Sequence, residues 1–183
     1  MTQILGLSGS LRKASFNTGL LNAATALMPD GAVLDAHTLH GVPLYDGDAE
    51  ASQGVPPAVA ALKEALAACD GLLLVTPEYN NGIPGVFKNA IDWMSRPPGG
   101  TGLFKAKPVA VIGASPGGFG TMLSQAHWLP VLRTLGTRHW SEGRLMVSRA
   151  GDMFASDGTL TDEETRKRLA DFLTGFVSFV REG

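Results

Sequence analysis

Short apolar runs alternate with segments of helical periodicity along this chain of 183 residues. The run DGLLLVT at 70–76 is continuous and apolar, which is typical of a strand covered on both faces. Between such runs apolar residues recur at helical spacing, as at Leu20, Leu21, Ala24 and Leu27. The pattern predicts five strands, at 4–7, 32–39, 70–76, 107–115 and 138–148. It predicts five helices, at 17–28, 56–69, 84–94, 120–135 and 162–181.

Five strands that alternate with helices predict one doubly wound parallel sheet in a single α/β domain spanning residues 1–183. For a single five-stranded sheet we expect the flavodoxin-like strand order 2-1-3-4-5. Ligands of such folds bind outside the carboxyl ends of the strands, at the point where the strand order reverses. The loops that begin near Ser8, Pro77 and Ser115 follow the first, third and fourth strands and are polar and rich in glycine. We therefore expect the ligand site among these three loops.

The bulk composition argues against several classes of protein. A net charge of −2 at pH 7 gives no reason to expect a nucleic-acid partner, which calls for a basic surface. No apolar run approaches the ~20 residues of a membrane span, and no signal-like segment opens the chain. We therefore expect a cytoplasmic protein without a membrane partner. The single cysteine, Cys69, excludes an intramolecular disulfide and is predicted to be a buried structural thiol.

The first polar loop, SGSLRKASFN at 8–17, concentrates hydrogen-bond donors between a strand and a helix. A helix N-terminus presents unpaired N–H groups and the positive end of the helix dipole. The hydroxyls of Ser8, Ser10 and Ser15, together with the Arg12 guanidinium, would complete a cradle for phosphate. Ser15 or Asn17 can also be read as an ordinary N-cap, which explains one of these residues but not the whole set.

Other phosphate-binding and nucleophile motifs do not match this loop. The triphosphate pattern GxxxxGK[ST] and the dinucleotide pattern GxGxxG are both absent after the first strand. The stretch GLSGS approaches the serine-hydrolase elbow GxSxG, but Ser10 stands in the place of its last glycine. His127 and His139 do not lie in a loop after a strand end, so a hydrolase triad is disfavoured. The loop alone therefore predicts an anion site and leaves the anion unnamed.

The second polar loop opens the segment TPEYNNGIPGVFKNAIDWMSRP at 76–97. With this segment the chain resembles the NADPH-dependent FMN reductase family, the flavodoxin-like quinone, chromate and azo-compound reductases. The resemblance rests on GSLRKASFN at 9–17, on TPEYN, PG and KNAIDW within 76–93, and on GASPGGFGT at 113–121. These segments follow the family's order and span nearly the whole chain.

The resemblance implies FMN as cofactor, with its 5′-phosphate in the first loop and its isoalloxazine and ribityl chain along the second. The first loop would contribute Ser10, Arg12, Ser15 and Asn17 to the phosphate, with Phe16 also at the cofactor. The second loop would contribute Pro77, Glu78, Tyr79 and Asn80. The third loop would close the other side with Ser115, Gly117 and Gly118. No catalytic side chain and no metal are implied, because hydride transfer to a flavin needs no protein base.

The resemblance also implies an NAD(P)H oxidoreductase. NADPH or NADH would reduce the flavin, and a small electron acceptor would then use the same crevice, which gives ping-pong kinetics. Quinones are the expected acceptors, with azo compounds, chromate and free flavin as further candidates. A homodimer or homotetramer is implied as well. The alternative is a non-enzymatic FMN electron carrier, but the acidic surface and the T/S-x-T-G-x-T phosphate loop usual in such carriers are missing here.

Two positions depart from the family pattern. Asn81-Gly82 replaces a bulkier pair, and Thr121 stands where a glycine is common. We expect both to border the acceptor, so that they bear on substrate preference more than on FMN binding. Asn81-Gly82 is also a turn pair that tolerates positive φ. We expect Glu78 to contact the ligand or a partner subunit rather than to act as a base.

Several further residues have simple structural interpretations. Trp93 can be either a core residue or a subunit contact, whereas Trp128 and Trp140 are expected in the core. Thr161 and Glu164 fit a capping box at the start of the last helix. His37, His40 and Asp35 are expected at the surface rather than around a metal ion. The remaining segments read as loops, at 43–47 and 152–160.

Overall fold

The computed structural model describes every residue from Met1 to Gly183. It contains one parallel sheet built from β1 (Thr2–Ser8), β2 (Ala32–Thr38), β3 (Gly71–Val75), β4 (Pro108–Ala114), β5 (Arg138–His139) and β6 (Leu145–Val147). The hydrogen-bonded order is β2-β1-β3-β4-β5, and β6 also pairs with β4. The predicted flavodoxin-like order is therefore confirmed, and β1 and β3 are neighbours at the reversal point.

Helices connect the strands and lie on both sides of the sheet. They are α1 (Phe16–Ala26), α2 (Gly47–Gln53), α3 (Pro57–Ala68), α4 (Gly85–Met94), α5 (Met122–Thr134), α6 (Ala150–Met153) and α7 (Glu163–Arg181), with one turn of 3-10 helix at Gly100–Leu103. None of these helices combines the length and the apolar character needed to cross a bilayer.

The strand β3 shows how the sheet separates two hydrophobic cores. All of its residues are buried, as its continuous apolar sequence predicts. Leu73 and Val75 belong to the core beneath α1 and α7, whereas Leu72 and Leu74 belong to the core beneath α3, α4 and α5. Successive side chains of a strand point to opposite faces, so a strand between two helical layers must be apolar throughout.

The segment predicted as one strand at 138–148 forms two short strands along the same edge of β4. The strand β5 pairs with the start of β4 and β6 pairs with its end. Between them the Trp140 N–H donates to the Val109 carbonyl over 2.8 Å. The indole ring then packs against Phe172 and Phe176 of α7, with ring centroids 4.9 and 5.9 Å away. The residues between Trp140 and Leu145 belong to neither strand, so the ladder along β4 is interrupted there.

The helix α2 is absent from the sequence prediction. None of its residues is buried, so no apolar periodicity marks it. Its start is stabilised by the Asp46 carboxylate, which accepts the N–H groups of Asp48 and Ala49 over 2.9 and 3.4 Å. Acidic residues in its first turn, Asp48 and Glu50, also suit the positive end of the helix dipole. The sequence feature that could have indicated this helix is Asp46 followed by the acidic residues Asp48 and Glu50.

The capping box predicted for the last helix is wrong. The helix α7 begins at Glu163, one residue later, and Asp162 is its N-cap. The Asp162 carboxylate accepts the Thr165 N–H over 2.8 Å. Hydrogen bonding by the Thr165 side chain, and then by its backbone N–H, lowers the pKa of Asp162. The Thr161 hydroxyl donates instead to the Met153 carbonyl. A carboxylate competes well for the helix N–H groups because it is charged.

The three tryptophans all belong to the core. Trp93 is 1% exposed, and its indole N–H donates to the Pro43 carbonyl over 3.0 Å. The Tyr45 ring packs edge-on against it, with centroids 4.9 Å apart. The core interpretation of Trp93 is therefore correct, and its ring is covered by the segment before α2. Trp128 and Trp140 are buried as predicted.

Cys69 is a buried thiol, as the sequence predicts. Its Sγ–H donates to the Leu66 carbonyl over 3.3 Å at the end of α3. Burial raises the pKa of this thiol, which keeps it protonated and unreactive at neutral pH.

The two histidines near β2 lie at the surface, as expected. His37 pairs with Asp35 over 2.8 Å at an exposed position. The His40 ring contacts the Leu11 carbonyl over 3.2 Å, across the start of the first loop. No group of three metal-ligating side chains occurs in the chain.

Candidate functional site

A crevice of about 350 Å³ opens at the carboxyl ends of β1, β3 and β4. All three polar loops contribute to it, as the strand order requires. Its walls are Ser10, Arg12, Ser15, Phe16, Asn17, Pro77, Glu78, Tyr79, Ala114, Ser115 and Pro116. Apart from Ala114 and Pro116, each is a residue that the sequence predicts for the cofactor. The predicted residues Asn80, Gly117 and Gly118 lie in the same loops but do not line the crevice.

The first and second loops meet at Gly9. A Cβ atom at this position would lie 2.2 Å from the Phe87 ring and 2.9 Å from Cδ of Pro77. Any larger residue would therefore push the first loop away from α4 and from the second loop. The glycine in GSLR is required for this close approach rather than for an unusual φ.

The first loop enters α1 through a local cap. The Ser15 hydroxyl accepts the N–H groups of Asn17 and Thr18 over 3.2 and 3.4 Å, so the N-cap interpretation of Ser15 is correct. The Ser8 hydroxyl at the end of β1 pairs with the Thr18 hydroxyl over 2.8 Å. The Ser10 hydroxyl accepts the Arg12 N–H over 3.3 Å, which tightens the loop.

The first loop also holds donors that the chain itself does not use. Outside α1, the backbone N–H groups of Ser10, Leu11, Lys13 and Ala14 donate to no other atom of the protein. Arg12 forms no ion pair, and its guanidinium lies over the Phe16 ring at 5.2 Å from the centroid. Unused N–H groups beside a helix N-terminus and a free guanidinium are the chemistry that recognises a phosphate.

The Asn17 side chain joins the first loop to the third. Its amide nitrogen donates to the Ala114 carbonyl over 2.8 Å, and its amide oxygen accepts the Ala114 N–H over 2.9 Å. Both residues are buried. This two-way pair ties the first turn of α1 to the end of β4, and it occupies the amide oxygen and one amide hydrogen of Asn17.

The second loop makes a tight turn at its tip. Tyr79 and Gly82 form an antiparallel bridge, with N–H···O distances of 3.2 and 3.0 Å between their backbones. Asn80 and Asn81 between them have φ values of 48° and 62°. The positive φ expected at Asn81-Gly82 thus lies one residue earlier than predicted. Asparagine tolerates this left-handed region better than other side chains do. The Tyr79 ring is 56% exposed at the mouth of the crevice.

Glu78 turns away from the tip and contacts α5. Its Oε2 accepts the N–H groups of Leu123 and Ser124, both over 2.9 Å. Thr76, at the start of the loop, pairs its hydroxyl with that of Ser124 over 2.9 Å. The half-buried Glu78 therefore lines the crevice and at the same time caps the helix that follows the third loop.

The third loop is held from behind by the sheet edge. The Ser115 N–H donates to the Val147 carbonyl, and the Arg149 N–H donates to the Gly117 carbonyl. The Ser115 hydroxyl accepts the Gly117 N–H over 3.1 Å. This turn points Gly117 and its neighbours outward, so only the start of the loop reaches the crevice.

Thr121 was expected to border the acceptor, but it does not line the crevice. It is fully buried, and its hydroxyl accepts a hydrogen bond from the Gln125 side chain over 3.0 Å. It packs against Gly113, where an added Cβ would lie 2.4 Å from the threonine hydroxyl and 2.1 Å from the Thr76 carbonyl oxygen. The departure from glycine at this position therefore affects the core between the second and third loops, not the crevice wall.

Comparison with known proteins identifies the family of this chain. The family model for NADPH-dependent FMN reductase matches residues 2–152. The chain is 41% identical over 179 residues to an NAD(P)H-dependent FMN reductase from Pseudomonas aeruginosa, covering 98% of this chain and 95% of the relative. It is 37% identical to a 2-hydroxy-1,4-benzoquinone reductase from a Burkholderia species, covering 95% of this chain and 93% of that protein.

A solved structure gives the same result. The chain matches FerB, a flavoenzyme NAD(P)H:(acceptor) oxidoreductase from Paracoccus denitrificans, with a TM-score of 0.85 and 38% sequence identity. The match covers 100% of this chain and 98% of FerB. The family model, the sequence identity and the fold similarity agree, the last two along nearly the full length of the chain, and we conclude that this chain belongs to the NADPH-dependent FMN reductase family.

Proposed function

We propose that this protein is an FMN-dependent NAD(P)H oxidoreductase that reduces quinones or similar small acceptors. The observation that carries the proposal is the first loop, with its unpaired Arg12 guanidinium and unused N–H groups beside the α1 N-terminus, in a chain of this family. Relatives named quinone reductases, such as that of Escherichia coli at 34% identity over 98% of this chain, favour quinones as the acceptor class.

The residues of the crevice suit FMN. The dianionic phosphate would be held by Ser10, Arg12, Ser15 and Asn17, the last through its remaining amide hydrogen. Pro77 and Tyr79 offer apolar surface for a planar ring at the other end. The proposed set along the ring and ribityl chain is Phe16, Pro77, Glu78, Tyr79 and Asn80, with Ser115, Gly117 and Gly118 on the opposite side. When bound, FMN supplies the hydride-transfer chemistry.

The protein contributes binding and orientation rather than acid–base chemistry. Glu78 is the one carboxylate of the crevice wall, and its Oε2 is occupied by two backbone N–H groups. NADPH or NADH and the acceptor would use the open crevice in turn beside the exposed Tyr79 ring. We therefore expect ping-pong kinetics, with the choice of acceptor decided at the mouth of the crevice.

The proposal is tested by flavin binding followed by rapid mixing. Purified protein loaded with FMN and freed of excess flavin is mixed without oxygen with NADPH and, separately, with NADH. Fast two-electron bleaching of the bound flavin, and reoxidation by a benzoquinone, are expected. Parallel screening with an azo dye, chromate and free flavin ranks the acceptors. A protein that binds no FMN contradicts the proposal, and a bound flavin that neither nucleotide reduces indicates an electron carrier instead.

We also propose that the protein assembles into a homodimer or homotetramer through the outer face of α5. This α5 face consists of Met122, Leu123, Ala126 and Leu129, next to the exposed Phe119 ring. By contrast α4, with Trp93 inside, exposes no large apolar side chain.

A second copy of this chain is the occupant that suits the α5 face. The only lysine, arginine or carboxylate side chain of α5 is Arg133 in its last turn, so two antiparallel copies crossing near Ala126 would bring no like charges to the centre while His127 is neutral. Light scattering of the wild type and of Leu129→Glu tests the assembly. We expect a smaller particle for the variant than for the wild type, and a monomeric wild type contradicts the proposed assembly.

A cytoplasmic location stays a prediction.

A further inference from the structure

We propose that Glu78 is a positioning residue that sets the width of the crevice by tying the second loop to α5. This inference rests on the proposed function, since the crevice is taken to hold FMN. Glu78 does not act on the reacting atoms. Its role is to hold the wall against which the planar ring of the cofactor would lie.

The helix α5 lacks a cap of its own. Its N-cap residue, Thr121, has φ −117° and ψ 35°, and its side chain accepts no backbone N–H of the helix. The Glu78 carboxylate takes over this task at Leu123 and Ser124, the second and third positions of the helix, where N-cap side chains normally accept hydrogen bonds. A negative charge at this end also interacts favourably with the helix dipole.

For the second loop, this carboxylate is the one polar attachment beyond Thr76. From Pro77 to Ile83, the only hydrogen bonds within the loop join Tyr79 and Gly82. The loop makes no other hydrogen bond to a distant part of the chain, apart from those of Glu78. Meanwhile Asn80 and Asn81 keep left-handed φ values, which cost energy. A loop with two such residues and one polar attachment depends on that attachment for its shape.

The attachment also joins two walls of the crevice. Pro77 and Tyr79 form one wall, and the third loop, which runs directly into α5, forms another. Because Glu78 belongs to the first wall and caps the helix behind the second, the distance between the walls follows from its two hydrogen bonds. The backbone N–H groups of Glu78 and Asn80, unused within the protein, are placed by the same contact.

The experiment compares three substitutions at Glu78 with the wild type and with Glu64→Ala, a control at an exposed position of α3. Glu78→Ala removes the attachment, Glu78→Asp shortens it, and Glu78→Gln keeps an accepting oxygen without the charge. The measurements are FMN affinity by fluorescence titration, the visible spectrum and midpoint potential of the bound flavin, and thermal unfolding of the FMN-free protein.

We expect Glu78→Ala to bind FMN about tenfold more weakly, as loss of hydrogen bonds to a charged group predicts, and to shift the flavin absorption bands. Glu78→Asp should lie between this variant and the wild type. Glu78→Gln should restore most of the affinity while raising the midpoint potential, because a carboxylate near the flavin disfavours added electrons. Glu64→Ala should change none of these values.

The outcomes separate this inference from the proposed function. If Glu78→Ala and Glu78→Asp lower only the unfolding temperature and leave FMN affinity, spectrum and potential unchanged, Glu78 is merely a helix cap and the inference is wrong. If Glu78→Ala does not fold, Glu78→Asp and Glu78→Gln decide by the same readouts. If the wild type itself binds no FMN, the proposed function fails first, and that failure is visible before any variant is compared.

Discussion

The first loop, residues 8–17, and the second loop, residues 76–83, line one crevice but are held by different kinds of contact. The first loop is capped locally, since the Ser15 hydroxyl accepts N–H groups two and three residues later. The second loop is held through Glu78, whose partners lie 45 and 46 residues later. The loop proposed to bind the phosphate is therefore capped by the helix it begins, with Asn17 as a distant contact to Ala114, whereas the loop proposed to face the ring is tied to another helix.

The two loops also differ in the charged groups that remain free to bind a ligand. The first loop offers a free guanidinium and a row of free N–H groups, so it is ready for an anion. The charge of the second loop is already occupied, because the Glu78 carboxylate is used by α5. This difference suggests a strong and rigid anchor at one end of the crevice and a wall adjustable through α5 at the other.

The largest effect is expected at Asn17, the residue of the first loop whose side chain binds a distant part of the backbone. Asn17→Ala would leave the Ala114 N–H and carbonyl buried without partners, so we expect the free energy of unfolding to fall by roughly 2–4 kcal/mol. Denaturant unfolding of the FMN-free protein measures it. Asn22→Ala, an exposed asparagine of the same helix, is the control. Equal stability of the two variants would contradict a structural role for Asn17.

Arg12→Ala tests the free charge of the first loop. Because Arg12 forms no ion pair and its guanidinium contacts only the face of the Phe16 ring, the FMN-free variant should be nearly as stable as the wild type. Its FMN affinity should fall roughly tenfold to a hundredfold, the usual effect of losing a charge-assisted hydrogen bond. Fluorescence titration checks this, with Arg12→Lys as a partial rescue and Arg144→Ala as a control outside the crevice. Unchanged affinity would remove Arg12 from the proposed phosphate site.

Ser15→Ala tests whether the first loop is really capped locally. Loss of the N-cap of α1 should lower the free energy of unfolding by about 1 kcal/mol. Ser15→Thr, which can still cap, should retain most of the stability. The same two variants titrated with FMN separate the cap from the proposed phosphate contact. If Ser15→Ala unfolds like the wild type, the local anchor is not what holds the loop.

The smallest expected effect concerns the tip of the second loop. Alanine adopts the left-handed backbone conformation less readily than asparagine does. Asn81→Ala, at φ 62°, should therefore lower the free energy of unfolding by about 0.5–1 kcal/mol. Asn81→Gly should be nearly neutral, since glycine adopts this conformation freely but is more flexible when unfolded. Denaturant unfolding of both variants checks the order. A more stable Asn81→Ala would mean that the tip does not keep its left-handed turn.

The same contrast between local and distant contacts explains which predictions succeed. The strand order follows from alternating strands and helices, and the position of the crevice follows from that order. The Ser15 cap is also readable, because its partners are two and three residues away. The exposed helix α2 is harder to see in the sequence, because it contributes nothing to the apolar pattern. The interrupted strand edge near Trp140 depends on packing against α7, which local sequence does not encode.

The sequence by itself determined the α/β class, the parallel sheet, the three loops of the crevice and the residue types that favour a phosphate there. It could do so because periodicity, turn residues and donor-rich loops act over a few residues. Only the tertiary structure decided that Glu78 caps α5 and that the Asn17 side chain hydrogen-bonds to the Ala114 backbone. It also decided that Thr121 is buried and that Trp93 is covered by the segment before α2. Each of these depends on which groups distant in sequence lie next to a given side chain, and the packing of the helices on the sheet determines that.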